Sequence, residues 1–270
     1  DVTGDTEQPR TGSKSRSARA REFAAQREAA RAKTRRRITG AVAVGAVVIV
    51  AAIVLAVTLP GDRSSNSAIP GVDTAALALT GSGSTACTYT HTGSPARDVG
   101  QPPAKGVAPG TYQATLTTGQ GVVTIDLDSA KAPCTVNSFV YLAAKGYFNA
   151  TTCHRLTTSG IFVLQCGDPT ASGQGGPGYE FADENLTGAT YPAGTVAMAN
   201  AGPGTNGSQF FLVYKDTQLS PAYTPFGTIT SGLDVWTAIA AKGTDNSNGA
   251  GDGRPTTPVD ITSVVVVRGS

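Results

Sequence analysis

The chain has 270 residues, of which 40% are hydrophobic and 15% charged, enough for one good-sized domain with extensions or two small ones. Its net charge of +2 hides an asymmetry: 11 of the 21 basic residues but 5 of the 19 acidic ones lie in residues 1–37, which leaves +6 there and −4 in the rest. This excludes an argument for nucleic-acid binding from overall charge, and the basic segment needs its own explanation.

Residues 1–15 are polar and turn-prone. Residues 16–37 contain no Gly or Pro and favour a helix whose apolar positions are mostly Ala. Such a helix suits solvent or lipid headgroups, and no nucleic acid is expected as its partner. Residues 38–59 are 22 residues without a charge. About 20 apolar residues at 1.5 Å each span a bilayer core, so the segment is predicted to be a transmembrane helix. Arg35, Arg36 and Arg37 at its start place the N-terminus in the cytoplasm and the rest outside. A cleaved signal peptide is the competing reading. It fits less well, because an h-region is shorter and no small-residue cleavage site follows Leu59.

Residues 60–110 are rich in Gly, Ser, Thr, Ala and Pro and read as a flexible linker. Within it Cys87 starts a short β-prone patch that ends at His91, read as an exposed loop histidine. The other cysteines are Cys134, Cys153 and Cys166; no pair has the C-x-x-C spacing of a zinc or redox site. From the residues alone, four thiols and two disulfides in any of three pairings stand equal.

A folded domain is expected over 111–270. Tyr112–Leu116 and Val122–Leu127 alternate as two strands joined by a glycine turn. Pro133–Ala144 has helical spacing with Pro in the first turn. Short strands are predicted at His154–Leu156, Phe162–Gln165, Thr195–Ala199, Gln209–Val213 and Asp260–Arg268, and a second helix at Asp234–Ala241. Met198 and Trp236 read as core. Many short strands with two helices predict a mainly β domain, a closed antiparallel barrel with helical caps.

Several motifs carry nothing. Gly202–Gly207 and Gly173–Gly178 both match G-x-G-x-x-G, but neither opens a helix, so neither is a dinucleotide site. There is no G-x-S-x-G elbow and no H-E-x-x-H pair. Only His91 and His154 are present, so a hydrolase would have to use His154 with Ser208, without supporting spacing. No metal or other cofactor is implied.

Two segments stand out by information content: Cys153–Leu156 leading to Phe162–Asp168, and Met198–Phe211. They resemble the two signature segments of the cyclophilins. Glu180–Asn185 and Phe226–Ile229 also look like the family's, so the resemblance runs in order over roughly 111–268. The chain resembles the membrane-anchored cyclophilins of actinobacteria. The resemblance implies an eight-stranded antiparallel β-barrel capped by two helices and peptidyl-prolyl cis-trans isomerase activity. Its implied partners are proline-containing peptides or proteins. It implies Arg155 as the catalytic residue. Phe162, Val163, Phe211 and Leu219 would hold the proline ring. Gln165, Asn200 and Gln209 would contact the peptide backbone, His154, Ala199 and Tyr223 would line the groove, and Gly173 would edge a neighbouring pocket.

The chain departs from the family in places. Two extra residues lie between Arg155 and Phe162. Gln218 stands where many members carry Trp, which implies weakened cyclosporin binding, and Tyr223 stands where many carry His. Cys153 and Cys166 replace the commoner Phe and Gly, and with an external domain two disulfides are expected, their pairing open. A non-catalytic module that grips proline peptides is the alternative function.

Overall fold

The computed structural model describes residues 73–269. The expected basic tail and the span at 38–59 lie outside the described residues. Among the described residues no helix is long and apolar enough to cross a membrane.

The hairpin expected first is present. Strand β2 (Thr111–Thr118) pairs antiparallel with β3 (Gly121–Asp128) in unbroken register from Thr111↔Asp128 to Thr118↔Gly121. Period-two patterning turns Tyr112, Ala114 and Leu116 inward, opposite Leu127, Ile125 and Val123. Helix α2 (Pro133–Ala144) follows at the predicted bounds, with Pro at its start and ten of its 12 residues buried. Its free N-terminal amides are capped from a distance. The Glu184 carboxylate accepts from Cys134 N at 3.1 Å and from Thr135 N and Oγ1 at 2.7 Å each. A carboxylate there satisfies orphan donors and complements the helix dipole.

The remaining strands are β4 (Thr151–Thr152), β5 (Arg155–Thr157), β6 (Val163–Cys166), β7 (Tyr179–Glu180), β8 (Thr195–Met198), β9 (Phe210–Val213), β10 (Pro225–Ser231), β11 (Asp252–Gly253) and β12 (Asp260–Arg268). All of these but β7 join β2 and β3 in one ten-stranded antiparallel sheet, in the order β11-β5-β6-β9-β8-β10-β3-β2-β12-β4. The sheet curls, and one stretch of chain bonds near both of its ends. Thr151 and Thr152 pair with β12, Cys153 N donates to Val259 O at 2.9 Å, and His154 N donates to Gln165 O at 3.0 Å. Arg155 then pairs with Gln165 on β6. The sheet therefore has ten strands by hydrogen bonding where eight were expected, because short edge pieces such as β4 and β11 pair separately.

Helix α3 (Leu233–Ala240) packs Trp236 and Ile239 inward, one residue before the expected bounds. The inner face of the sheet, α2 and α3 share one core that includes Phe139, Phe148, Phe210, Phe226, Met198 and Trp236.

The expected linker differs over its described part. Residues 73–110 are packed on the sheet domain. They carry a short helix α1 (Thr74–Leu77) and strand β1 (Thr90–His91), which pairs with β7 and leaves His91 exposed. Asn137 on α2 accepts from Gly81 N at 2.8 Å, and Tyr89 donates to Cys134 O at 2.8 Å. Arg97 Nη1 lies 2.8 Å from the carbonyls of Gly146, Tyr147 and Asn149 just past α2. A disulfide, Cys87–Cys134, ties the segment down, and the second is Cys153–Cys166. Gly, Ser and Pro read as coil because no local periodicity marks them; long-range side-chain bonds order them instead.

Candidate functional site

Strands β5, β6, β9 and β8 lie side by side, and alternation gives each a second, outward face. Inward they turn Leu156, Leu164, Phe210, Leu212, Val196 and Met198 into the core. Outward, register aligns Arg155 with Gln165, Gln165 with Phe211, and Phe211 with Ala197. A cation, an amide and an aromatic ring thus sit in one row across the sheet. The next row pairs Val163 with Val213.

Around these rows a small outer apolar cluster forms from Val163, Tyr191, Ala197, Phe211 and Val213, with Ala199, Leu219 and Tyr223 packed against it. Tyr223 meets Phe211 edge-on, with ring centroids 5.6 Å apart. Tyr191 locks Tyr223 by its main chain: its hydroxyl donates to Tyr223 O at 2.8 Å and accepts from Tyr223 N at 3.1 Å. Phe162 stands at the rim. Its N–H donates to Thr217 Oγ1 at 3.0 Å, and the Lys215 ammonium lies 4.5 Å from its ring centre. A hollow of about 190 Å³ bounded in part by Tyr191, Asp216 and Leu219 opens beside the cluster.

The polar side of the site is a relay. Gln165 Nε2 donates to Gln209 Oε1 at 2.8 Å, and Gln209 Nε2 donates to Gly175 O at 2.9 Å. Gly175 belongs to a loop built around buried Asp168. That carboxylate accepts from Thr170 N and Oγ1, Ser172 N and Oγ, and Gly175 N, at 2.7 to 3.2 Å. A Cβ on residue 175 would sit 2.0 Å from Asp168 Oδ1, so only glycine fits. Burial pushes the Asp168 carboxyl up, but the bonds from Thr170 and Gly175 outweigh it and leave it below its ordinary value. Asn200 donates to Ala222 O at 2.8 Å and accepts from Gly202 N at 3.3 Å, so its side chain ties its own loop to the segment before β10.

His154 is 8% exposed, and neither ring nitrogen has a hydrogen-bond partner. Burial lowers its pKa, with Asp168 pulling the other way. It is therefore a neutral wall, and a Cβ on Gly173 would stand 3.4 Å from its Cδ2. Arg155 is different. Its side chain is 36% exposed and forms a two-bond ion pair with Asp252, which raises its pKa.

The structure thus gathers Arg155, Phe162, Val163, Gln165, Ala199, Gln209, Phe211, Leu219 and Tyr223 on one outer face, with His154, Gly173 and Asn200 at its margins. Ser208 is buried and donates to Gly167 O at 2.7 Å, its other partner being Tyr147, so the hydrolase pairing with His154 does not form. Sequence reading missed Asp252, Tyr191, Lys215 and Asp168. Alternation in β8 was the signal that could have placed Ala197 beside Ala199. Nothing local pointed to Asp252, which lies 97 residues from Arg155.

The profile of the family described as cyclophilin type peptidyl-prolyl cis-trans isomerase/CLD matches residues 113–266. A probable peptidyl-prolyl cis-trans isomerase B of Mycobacterium tuberculosis is 50% identical over 172 residues, covering 58% of this chain and 55% of that protein. One of Mycobacterium leprae is 48% identical over 195 residues, covering 66% and 65%. The chain thus spans little more than half the length of the first of these relatives. A crystal structure of a Cryptosporidium parvum cyclophilin type peptidyl-prolyl cis-trans isomerase aligns with TM-score 0.53 and 29% identity, over 59% of this chain and 99% of that one. The same protein in the presence of the dipeptide Ala-Pro aligns with TM-score 0.52.

Proposed function

The chain belongs to the cyclophilin-type peptidyl-prolyl cis-trans isomerase family, and we propose that it accelerates cis-trans isomerisation of X-Pro bonds in protein substrates outside the cytoplasm. The observation that carries this reading is the outward row Arg155–Gln165–Phe211 beside an apolar cluster. Rotation about the prolyl amide faces a barrier of about 18–20 kcal/mol, because resonance gives the C–N bond double-bond character. Lowering it needs no nucleophile. It needs the ring held still, the nitrogen lone pair localised and the carbonyl free to swing.

Phe162, Val163, Phe211 and Leu219 bury the ring, with Tyr223 as a side wall. Arg155 donates toward the prolyl carbonyl and the pyramidalising nitrogen, which favours the twisted transition state over either planar ground state. The guanidinium is always charged and planar, so its donors keep their geometry. Gln165 keeps its carbonyl oxygen for the flanking peptide, while Gln209 holds the Gln165 amide. Asn200 acts through its main chain, since its side chain is engaged. His154, Ala199 and Gly173 shape the adjoining wall. Proline peptides are the substrate class, a reading supported by the Ala-Pro dipeptide used with the Cryptosporidium relative. Gln218, exposed where many family members carry Trp, weakens cyclosporin binding.

We read the curled sheet as a barrel closed by 151–157, residues 38–59 as a membrane anchor, and the domain as facing outward. Two disulfides support an oxidising compartment. Impermeant protease added to intact cells should cleave the domain; full protection would sink the outward placement.

The test of activity is an isomerisation assay on the full chain in detergent beside Arg155→Ala. The parent should be fast and the variant slower by about 10²–10³-fold, the worth of one transition-state donor. A folded parent without rate enhancement on several X-Pro peptides would leave a proline-binding module.

A further inference from the structure

We infer that Asp252 is a positioning residue for the isomerisation: its carboxylate fixes the plane of the Arg155 guanidinium at the edge of the groove. The inference rests on the isomerase reading of the same site. Arg155 Nε donates to Asp252 Oδ1 at 2.8 Å and Nη2 donates to Oδ2 at 2.6 Å. This two-bond fork sets orientation as well as distance. A guanidinium has five N–H groups, so three remain. Among the described residues none of these three has a protein partner, and they are left to meet a substrate.

An exposed ion pair alone would mean little, because two long side chains seldom hold one geometry. Here the acid is held by its own loop. Asp252 N donates to Gly249 O at 2.9 Å, and Asn248 Nδ2 donates to Asp252 Oδ1 at 3.1 Å. The loop is cross-braced by two further side chains. Asp245 Oδ1 accepts from Ser247 N at 2.9 Å and Arg254 N at 2.8 Å, and Asn246 Oδ1 accepts from Gly251 N at 2.7 Å. It docks on the turn after β5, where Thr158 N donates to Gly251 O at 2.7 Å. A Cβ on Gly251 would stand 2.7 Å from Ser159 Cβ. That turn is the stretch with two residues more than the common pattern, so the loop and the enlarged turn fit each other.

The carboxylate has a second, opposing effect: it offsets the positive charge of Arg155. Positioning wins, because a twisted amide is stabilised by donors already aimed at it, and a free three-carbon stem would have to be ordered at each turnover.

The experiment compares the full chain with Asp252→Ala, Asp252→Asn and Asp252→Glu in detergent. It measures kcat and KM separately on an Ala-Pro peptide, the melting temperature, and the Arg155 Nε–H signal by nitrogen-detected NMR. Ala and Asn should lower kcat about tenfold, the worth of holding one rotamer-rich side chain in place. KM should stay unchanged, the melting temperature should fall only slightly, as for a partly exposed ion pair, and the Nε–H signal should vanish by exchange with water. Glu, which keeps the carboxylate, should recover part of both. Should Ala loosen the loop, Asn, of the same size, carries the comparison. An unchanged or higher kcat in an active, folded Asn variant overturns this inference alone, as does a loss of kcat that tracks a loss of stability. A parent with no activity overturns the isomerase reading and this inference with it.

Discussion

The two faces of strands β5, β6, β9 and β8 are made by the same backbone and do different work. Inward, Leu156, Leu164, Phe210 and Leu212 fill volume in the core and can be described by size alone. Outward, Arg155, Gln165 and Phe211 differ in chemical type at every strand, and their value lies in the order in which register sets them. One face needs any apolar residues that fit; the other needs particular groups at particular places. Substitutions inside should therefore cost stability, and those outside should cost rate.

Neighbouring phenylalanines give the largest contrast. Phe210→Ala empties an inward site between Phe139 and Phe148 and should cost about 3–5 kcal/mol in denaturant unfolding. Phe211→Ala faces the small outer cluster and should cost less, about 1.5–3 kcal/mol, while kcat/KM on proline peptides collapses. Equal stability losses at the two positions would break the comparison.

The disulfides sharpen it further. Cys87–Cys134 closes 47 residues and Cys153–Cys166 closes 13. Loop-closure entropy puts their removal by paired Ser substitution at about 4 and about 3 kcal/mol. Although weaker in stability, the second should cost more activity, because its cysteines flank His154–Arg155 and Gln165. Calorimetry with an isomerisation assay on both variants checks the crossing.

The smallest effect is acid sensitivity. His154 is kept neutral by burial, so its pKa is below that of the unfolded chain. It contributes stability above about pH 6.5 that is lost as pH falls through the depressed value. Asp168, lowered by its loop donors against burial, and Asp252, lowered by Arg155, contribute stability above about pH 3.9 that is lost further into acid. Denaturant unfolding at stepped pH should show two declines, and His154→Gln should remove only the upper one. A single decline below pH 4 in the parent would show that His154 takes up its proton without strain.

Much of the sheet was legible because alternation is local. Tyr112–Leu116, Val122–Leu127 and Asp260–Arg268 each carry their own period, and Pro133–Ala144 its own helical spacing. The outer face was legible through family resemblance, which transfers types and order. What was not legible was held at long range. Residues 73–110 have no periodicity and are ordered by Arg97, Tyr89 and Cys87 reaching α2 and the turn after it. Asp252 meets Arg155 only once β11 has been laid beside β5.

Strand β12 is the last of the described strands, yet it pairs with β2, the first long one, from Ile261↔Thr118 to Arg268↔Tyr112. It also binds β4, and so it stands between the start of the sheet and the stretch leading to Arg155. A chain delivered from its N-terminus cannot seal the sheet until β12 arrives. At synthesis rates of about 5–20 residues per second, β2 waits on the order of ten to thirty seconds for its partner. During that interval its inner edge is open to any other strand. The sheet is thus sealed by one of its most non-local pairings, the kind of contact that slows folding.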